Sequence, residues 1–111
     1  MTPSSVARIL RKLPRENAFY FFTSIGNYTG ENAASLEEFV DKVREVNVKS
    51  LEFHFYRGDF EKWVAEVLED GELAEEIKNL KNLKPVADAL RSQFYLLVSR
   101  RFEKLKSEFR G

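Results

Sequence analysis

The chain contains no cysteine, and only one methionine, one histidine and one tryptophan in 111 residues. The lack of cysteine excludes disulfide bonds, thiolate metal ligands and a cysteine nucleophile. No apolar run exceeds five residues, as at 18–22, whereas a membrane-spanning helix needs roughly 18. A basic segment followed by a long apolar stretch is also missing at the start, so we expect no secretory signal and predict a cytoplasmic protein.

The residues that are abundant indicate one soluble domain over residues 1–111. Aromatic residues make up 14% of the chain and charged residues 32%, which supplies both a core and a polar surface. Glutamine and methionine occur once each, while Glu, Lys and Arg are frequent. This usage avoids thermolabile residues and favours surface ion pairs, so we predict a thermophilic origin.

The net charge is zero, but the charges are segregated along the chain. Residues 1–15 carry four basic and no acidic side chains, residues 16–80 carry six basic and fifteen acidic ones, and residues 81–111 carry eight and three. Basic terminal helices that fold back onto an acidic centre would explain this pattern. The alternative is a basic nucleic-acid surface, for which a net basic balance is more typical.

Hydrophobic periodicity predicts an all-α fold of five or six helices. Apolar residues recur at helical spacing near 6–13, 36–47, 48–57, 60–68 and 73–80, and again over a long C-terminal segment at 85–109. Ser35 and Glu38 form a capping box, Gly58 is suited to end a helix, and Asp59 to cap the next. The aromatic run at 18–22 predicts one short extended segment, and the loop at 23–30 is expected to form turns. Residues 51–56 alternate and could pair with it, but we prefer a helix there.

The segment 51–63 holds the histidine, the tryptophan and four further aromatic rings. His54 and Asp59 lie five residues apart across a predicted helix end, so the carboxylate can approach the imidazole as in a general-base pair. A core histidine with satisfied ring nitrogens is the more common arrangement. Arg57 and Trp63 are suited to anion binding and to stacking. We therefore take His54, Arg57, Asp59 and Trp63 as candidate ligand-binding residues, and assign no catalytic residue.

We expect no metal ion and no cofactor. A single imidazole without cysteine falls short of a recognisable ligand set. The glycine-containing stretch 26–30 lacks both the Gly-Lys-Ser/Thr of a P-loop and the G-x-G-x-x-G of a dinucleotide fold.

The long C-terminal helix carries an apolar stripe to its end. About 25 residues give a helix of about 37 Å, which is longer than a compact domain of this size needs. If the first helix leaves Phe102, Leu105 and Phe109 uncovered, they form a surface suited to a homodimer.

Several stretches together resemble a family of small archaeal and bacterial domains of unknown function. They are Phe19-Tyr20-Phe21-Phe22-Thr23, Ser35-Leu36, His54 followed by Gly58-Asp59-Phe60-x-x-Trp63, and Leu73-Ala74. The resemblance covers residues 18–101; it implies a helical fold and assigns no activity. In many relatives the connection between the histidine and the Asp-Phe-x-x-Trp motif is longer, which implies a tightened loop here.

These observations favour a small binding or regulatory module that acts through a protein partner or through self-association. An enzyme or small-ligand-binding protein that uses His54 and Asp59 beside Trp63 and the 23–30 loop is one alternative. Nucleic-acid binding through Arg8, Arg11, Arg100 and Arg101 on the basic terminal helices is another. Membrane association is not expected.

Overall fold

The computed structural model describes residues 2–110. Over this range the chain forms six α-helices: α1 (Pro3–Leu10), α2 (Leu36–Glu45), α3 (Val48–Arg57), α4 (Asp59–Trp63), α5 (Gly71–Lys81) and α6 (Ala87–Arg110). Two strands, β1 (Phe19–Ser24) and β2 (Asn27–Ala33), pair between α1 and α2. A 3₁₀ turn at Arg15–Asn17 precedes β1, and a π-helical turn at Val64–Leu68 follows α4.

The β-hairpin corrects the prediction of an all-α fold. The extended segment predicted near 18–22 is β1. Its partner is residues 27–33, which overlap the loop predicted at 23–30, and residues 51–56 lie in α3 as preferred. The strands pair antiparallel, with Phe19 opposite Ala33 and Phe22 opposite Tyr28. Gly26 reverses the chain in the left-handed conformation, with φ of 79°, which a residue without Cβ adopts at little cost.

The helix ends agree with the predicted caps at Ser35 and Gly58 but not at Asp59. Ser35 Oγ accepts a hydrogen bond from the Glu38 amide at 3.1 Å. Gly58 ends α3 in the left-handed conformation and is itself the N-cap of α4. Asp59 is therefore the first residue of α4, and its side chain caps no amide. Its carboxylate is instead available to other partners, which the next section describes.

Aromatic rings from four elements meet at the centre of the fold. Phe21, Phe39, Phe60 and Phe94 are fully buried, and they come from β1, α2, α4 and α6. The Phe60 and Phe94 rings stack with centroids 4.9 Å apart. Burial of such side chains contributes about 2–3 kcal/mol each, so the hairpin is held to the helices mainly through β1.

The terminal helices contact the acidic middle of the chain. Arg8 of α1 pairs with Glu69, and Arg11, which directly follows α1, donates a hydrogen bond to the Val67 carbonyl at 2.8 Å. In α6, Arg101 is buried and binds Asp70 through two hydrogen bonds of 2.8 and 2.9 Å. This is the arrangement expected if the charge segregation reflects folding of the ends onto the centre.

Helix α6 is the longest element and spans the molecule. Its 24 residues extend about 36 Å, close to the longest dimension of 39 Å. The helix packs against α1, α2, α3 and α5, so most of it is covered on one side. Neither it nor any other helix within residues 2–110 combines the length and the apolar character needed to cross a membrane.

Candidate functional site

An open apolar cleft separates the β-hairpin from α3. Its volume is about 310 Å³, and we call it the His54 cleft. It is lined by Phe19, Tyr20, Phe22, Ser24, Ile25 and Gly26 from the hairpin, Phe53, His54 and Arg57 from α3, and Asp59 from α4. Three of the four predicted ligand residues, together with part of the 23–30 loop, therefore meet at one surface.

His54 forms the inner wall of the cleft and joins the hairpin to α4. Its Nε2 accepts a hydrogen bond from the Phe22 amide at 2.8 Å, and its Nδ1 lies 2.8 Å from Asp59 Oδ2. Because an amide can only donate, Nε2 must be unprotonated, and the proton therefore resides on Nδ1. Burial lowers the pKa of His54 from its ordinary value, and the hydrogen bond with Asp59 opposes this shift only in part.

This geometry gives His54 a positioning role. His54 is only 4% exposed, and both of its ring nitrogens have partners within the protein. In this arrangement neither nitrogen is open to exchange a proton with a bound molecule. His54 instead ties Phe22 of β1 to Asp59 of α4, and so holds the two walls of the cleft at a defined separation.

Arg57 lies at the mouth of the cleft, where its guanidinium contacts Asp59 and the Phe53 ring. Its Nε lies 3.3 Å from Asp59 Oδ2, and its Cζ lies 4.7 Å from the centroid of the Phe53 ring. The side chain remains about half exposed. It is the cation that lines the His54 cleft, so it is the group there that can attract an anion.

Trp63 lies outside the His54 cleft. Its ring is buried, and its Nε1 donates a hydrogen bond to the Asn17 carbonyl at 2.9 Å. It lines a neighbouring cleft of about 240 Å³, together with Lys62, Glu66 and Val67. Phe19 and Asp59 belong to both clefts, so the two are adjacent.

Sequence reasoning did not select the apolar residues that give the His54 cleft its character. Phe22, Ile25 and Phe53 all line it, and Ile25 at the hairpin tip is 86% exposed. A large aliphatic residue next to a turn glycine was a signal that the sequence contained. Its meaning depended on the hairpin, which places the tip beside α3.

The comparison with known families agrees with this description of a small domain. A model for a family of unknown function (DUF5752) matches residues 14–109. The chain belongs to this family. The resemblance to a family of unknown function is therefore confirmed, and the match includes every residue of the His54 cleft. The comparisons with curated proteins and with solved structures found no match.

Helix α1 precedes the region that the family model matches. Within residues 2–110, no group of three His, Asp or Glu side chains lies close enough together to hold a metal ion. The candidate site of this family member is accordingly described by an apolar cleft, a fixed imidazole and a guanidinium.

The three residues predicted for self-association occupy different environments. Leu105 is fully buried in the core, and Phe102 is partly buried against it. Phe109 is 59% exposed and borders a shallow cleft with Leu10 and Phe102. The described surface thus presents Phe109 and an edge of Phe102, while Leu105 lies beneath them.

Proposed function

We propose that this protein is a binding module that docks a protein partner at the His54 cleft. The observation that supports this most directly is the exposure of Ile25 beside the apolar walls of the cleft. Hairpin tips favour polar residues, and an isoleucine there contributes little to the core. Together with Phe22 and Phe53 it forms an apolar surface with a charged rim at Arg57, which is typical of a contact site.

The alternatives proposed from sequence receive less support. Catalysis by His54 would require a ring nitrogen that is open to a substrate, and both are engaged. Nucleic-acid binding would rely on Arg8, Arg11, Arg100 and Arg101. Arg100 is exposed, but the other three have partners within the chain: Arg8 pairs with Glu69, Arg11 with the Val67 carbonyl and Arg101 with Asp70. A cytoplasmic location and a thermophilic origin stay predictions.

Self-association is a second candidate, and the exposure of Phe109 favours it. The last turns of α6 place this ring beside Leu10 and Phe102 at the protein surface. A second copy of the same helix end could cover the ring in a two-fold contact. The contact would be small, because Leu105 adds no exposed area.

The docking proposal is tested by a matched pair of surface substitutions. Ile25→Glu places a charge at the edge of the His54 cleft, whereas Leu83→Glu places one on a residue that is 72% exposed and does not line the cleft. Both variants should fold, because neither side chain is buried. Proteins recovered from a native lysate are compared by quantitative mass spectrometry on the parent and on both variants.

The proposal expects partners that the parent and Leu83→Glu retain and that Ile25→Glu loses. If all three chains retain the same partner proteins, or if both variants lose them equally, docking does not use this cleft. Circular dichroism before and after each experiment verifies that the variants keep the helical content of the parent.

A further inference from the structure

We infer that the His54 cleft takes the C-terminal residue of a partner polypeptide, with its apolar side chain between Phe22 and Phe53 and its terminal carboxylate on Arg57. This inference rests on the proposed function, because it names the part of the partner that enters the cleft. It is carried by the position of Arg57, by the charge balance around it and by the dimensions of the cleft.

Arg57 is placed for anion recognition because its ion pair with Asp59 runs through Nε and leaves the terminal amino groups of the guanidinium for a ligand. Asp59 lies beside Nε at 3.3 Å, and the Phe53 ring supports the guanidinium at 4.7 Å. Apart from this ion pair, no group among residues 2–110 accepts a hydrogen bond from the guanidinium, and about half of the side chain is exposed. The planar fork of an arginine matches the two oxygens of a carboxylate. Holding the fork in place reduces the entropy that a ligand must overcome.

The charges near Arg57 favour a direct hydrogen-bonded contact over a diffuse attraction. Asp59 carries one negative charge, Arg57 one positive charge, and His54 is neutral because Nε2 accepts from the Phe22 amide. The three groups therefore have no net charge, and a distant anion gains little from them. A carboxylate that contacts the free edge of the guanidinium still gains charge-assisted hydrogen bonds. This argues for a small, localised anion and against a polyanionic surface.

The dimensions of the cleft suit a single ligand residue whose apolar side chain and carboxylate are attached to the same carbon. Its volume of about 310 Å³ is at the lower end of the range for small-ligand sites, about 300–1,000 Å³. The Arg57 Cζ lies 4.7 Å from the ring that forms the apolar wall. In a C-terminal residue the side chain and the carboxylate share one Cα, whereas an acidic neighbour starts from a Cα about 3.8 Å away. Capture of a terminal carboxylate is also an established mode of peptide recognition.

Binding of three small probes tests the inference by two-dimensional NMR of the labelled protein. The probes are N-acetyl-phenylalanine, its C-terminal amide, and phenylacetate, which has the ring and the carboxylate without a peptide group. Shifts are followed at the amides of Ser24, Gly26 and Phe53 and at the Arg57 side chain. The variants are Arg57→Gln and, as a matched control, Arg44→Gln, because Arg44 also lies over an aromatic ring, that of Tyr95 at 5.8 Å.

We expect N-acetyl-phenylalanine to bind at least about tenfold more tightly than its amide, and Arg57→Gln to remove this preference while Arg44→Gln retains it. Equal affinities for the acid and the amide would overturn the role of Arg57 but leave apolar docking intact. Phenylacetate binding as tightly as N-acetyl-phenylalanine would overturn the assignment to a polypeptide end. Absence of shifts with all probes would overturn the inference as well, while the Ile25→Glu and Leu83→Glu comparison decides the docking function independently.

Discussion

Replacement of His54 by leucine removes both ring nitrogens from the wall of the cleft and leaves an apolar side chain of similar reach. The Phe22 amide then loses its acceptor, and Asp59 loses the donor at 2.8 Å. An unsatisfied buried amide costs about 1–3 kcal/mol, and a hydrogen bond to a charged group contributes about 1.5 kcal/mol or more. Because Asp59 is partly exposed and regains water, we expect a loss of about 3 kcal/mol in the free energy of unfolding.

The measurement is urea unfolding followed by circular dichroism, with thermal unfolding as a second reading. A domain of this size loses about 4 °C in Tm for each kcal/mol, so His54→Leu should unfold about 12 °C below the parent. Asp59→Asn is the comparison, because its amide oxygen still accepts from Nδ1. It should lose less than about 1 kcal/mol, since only the charge assistance disappears.

The same substitution tests the protonation state. The folded-state pKa of His54 is lowered by burial, so the unfolded chain binds the proton at a higher pH than the folded one. Stability from the neutral imidazole is therefore fully present above about pH 6.5 and is lost as the pH falls from there through the folded-state pKa. The difference in stability between the parent and His54→Leu should shrink on acidification. An unchanged urea midpoint in His54→Leu, or a difference that grows as the pH falls, would refute the reasoning.

Two further predictions concern α6. Arg101→Leu leaves the buried carboxylate of Asp70 without its ion pair, so we expect the free energy of unfolding to fall by about 3–5 kcal/mol. Arg100→Leu, at an exposed position, should change the free energy of unfolding by less than about 0.5 kcal/mol in the same urea experiment. If the chain self-associates through its C-terminal helix end, Phe109→Glu should reduce the mass found by sedimentation velocity and Leu96→Glu, also on α6, should not; a parent that sediments as a monomer at every concentration would end that proposal.

The helices illustrate what periodicity and local capping are able to predict. The apolar stripes predicted within 36–47 and 73–80 are buried in α2 and α5, and Leu90, Phe94 and Val98 of the long stripe are buried in α6. These elements form where hydrogen bonds are local and where one apolar face suffices to direct packing. Their positions are therefore readable from neighbouring residues alone.

Strand β2 illustrates what this reasoning cannot reach. Its residues, Asn-Tyr-Thr-Gly-Glu-Asn-Ala, have a weak strand preference and read as a loop. They are extended because β1 supplies the opposite edge and because Gly26 permits the reversal between them. A strand needs a partner, and the identity of that partner is a tertiary property.

Asp59 shows the same limit within the candidate site. Its position after Gly58 predicted a helix cap, yet its carboxylate binds the imidazole one turn back and the guanidinium beside it. A cap and a side-chain partner compete for the same oxygens, and burial of His54 decides between them because an imidazole nitrogen removed from water requires a partner.

From residue types and spacing alone followed the single domain, the main helices and the clustering of His54, Arg57 and Asp59. The tertiary fold added the contact between His54 and the Phe22 amide, 32 residues apart, and with it the cleft that the hairpin forms against α3. Local patterns encode helices because their hydrogen bonds span four residues. A cleft arises from surfaces that are distant in the chain, so it exists only once packing has brought them together.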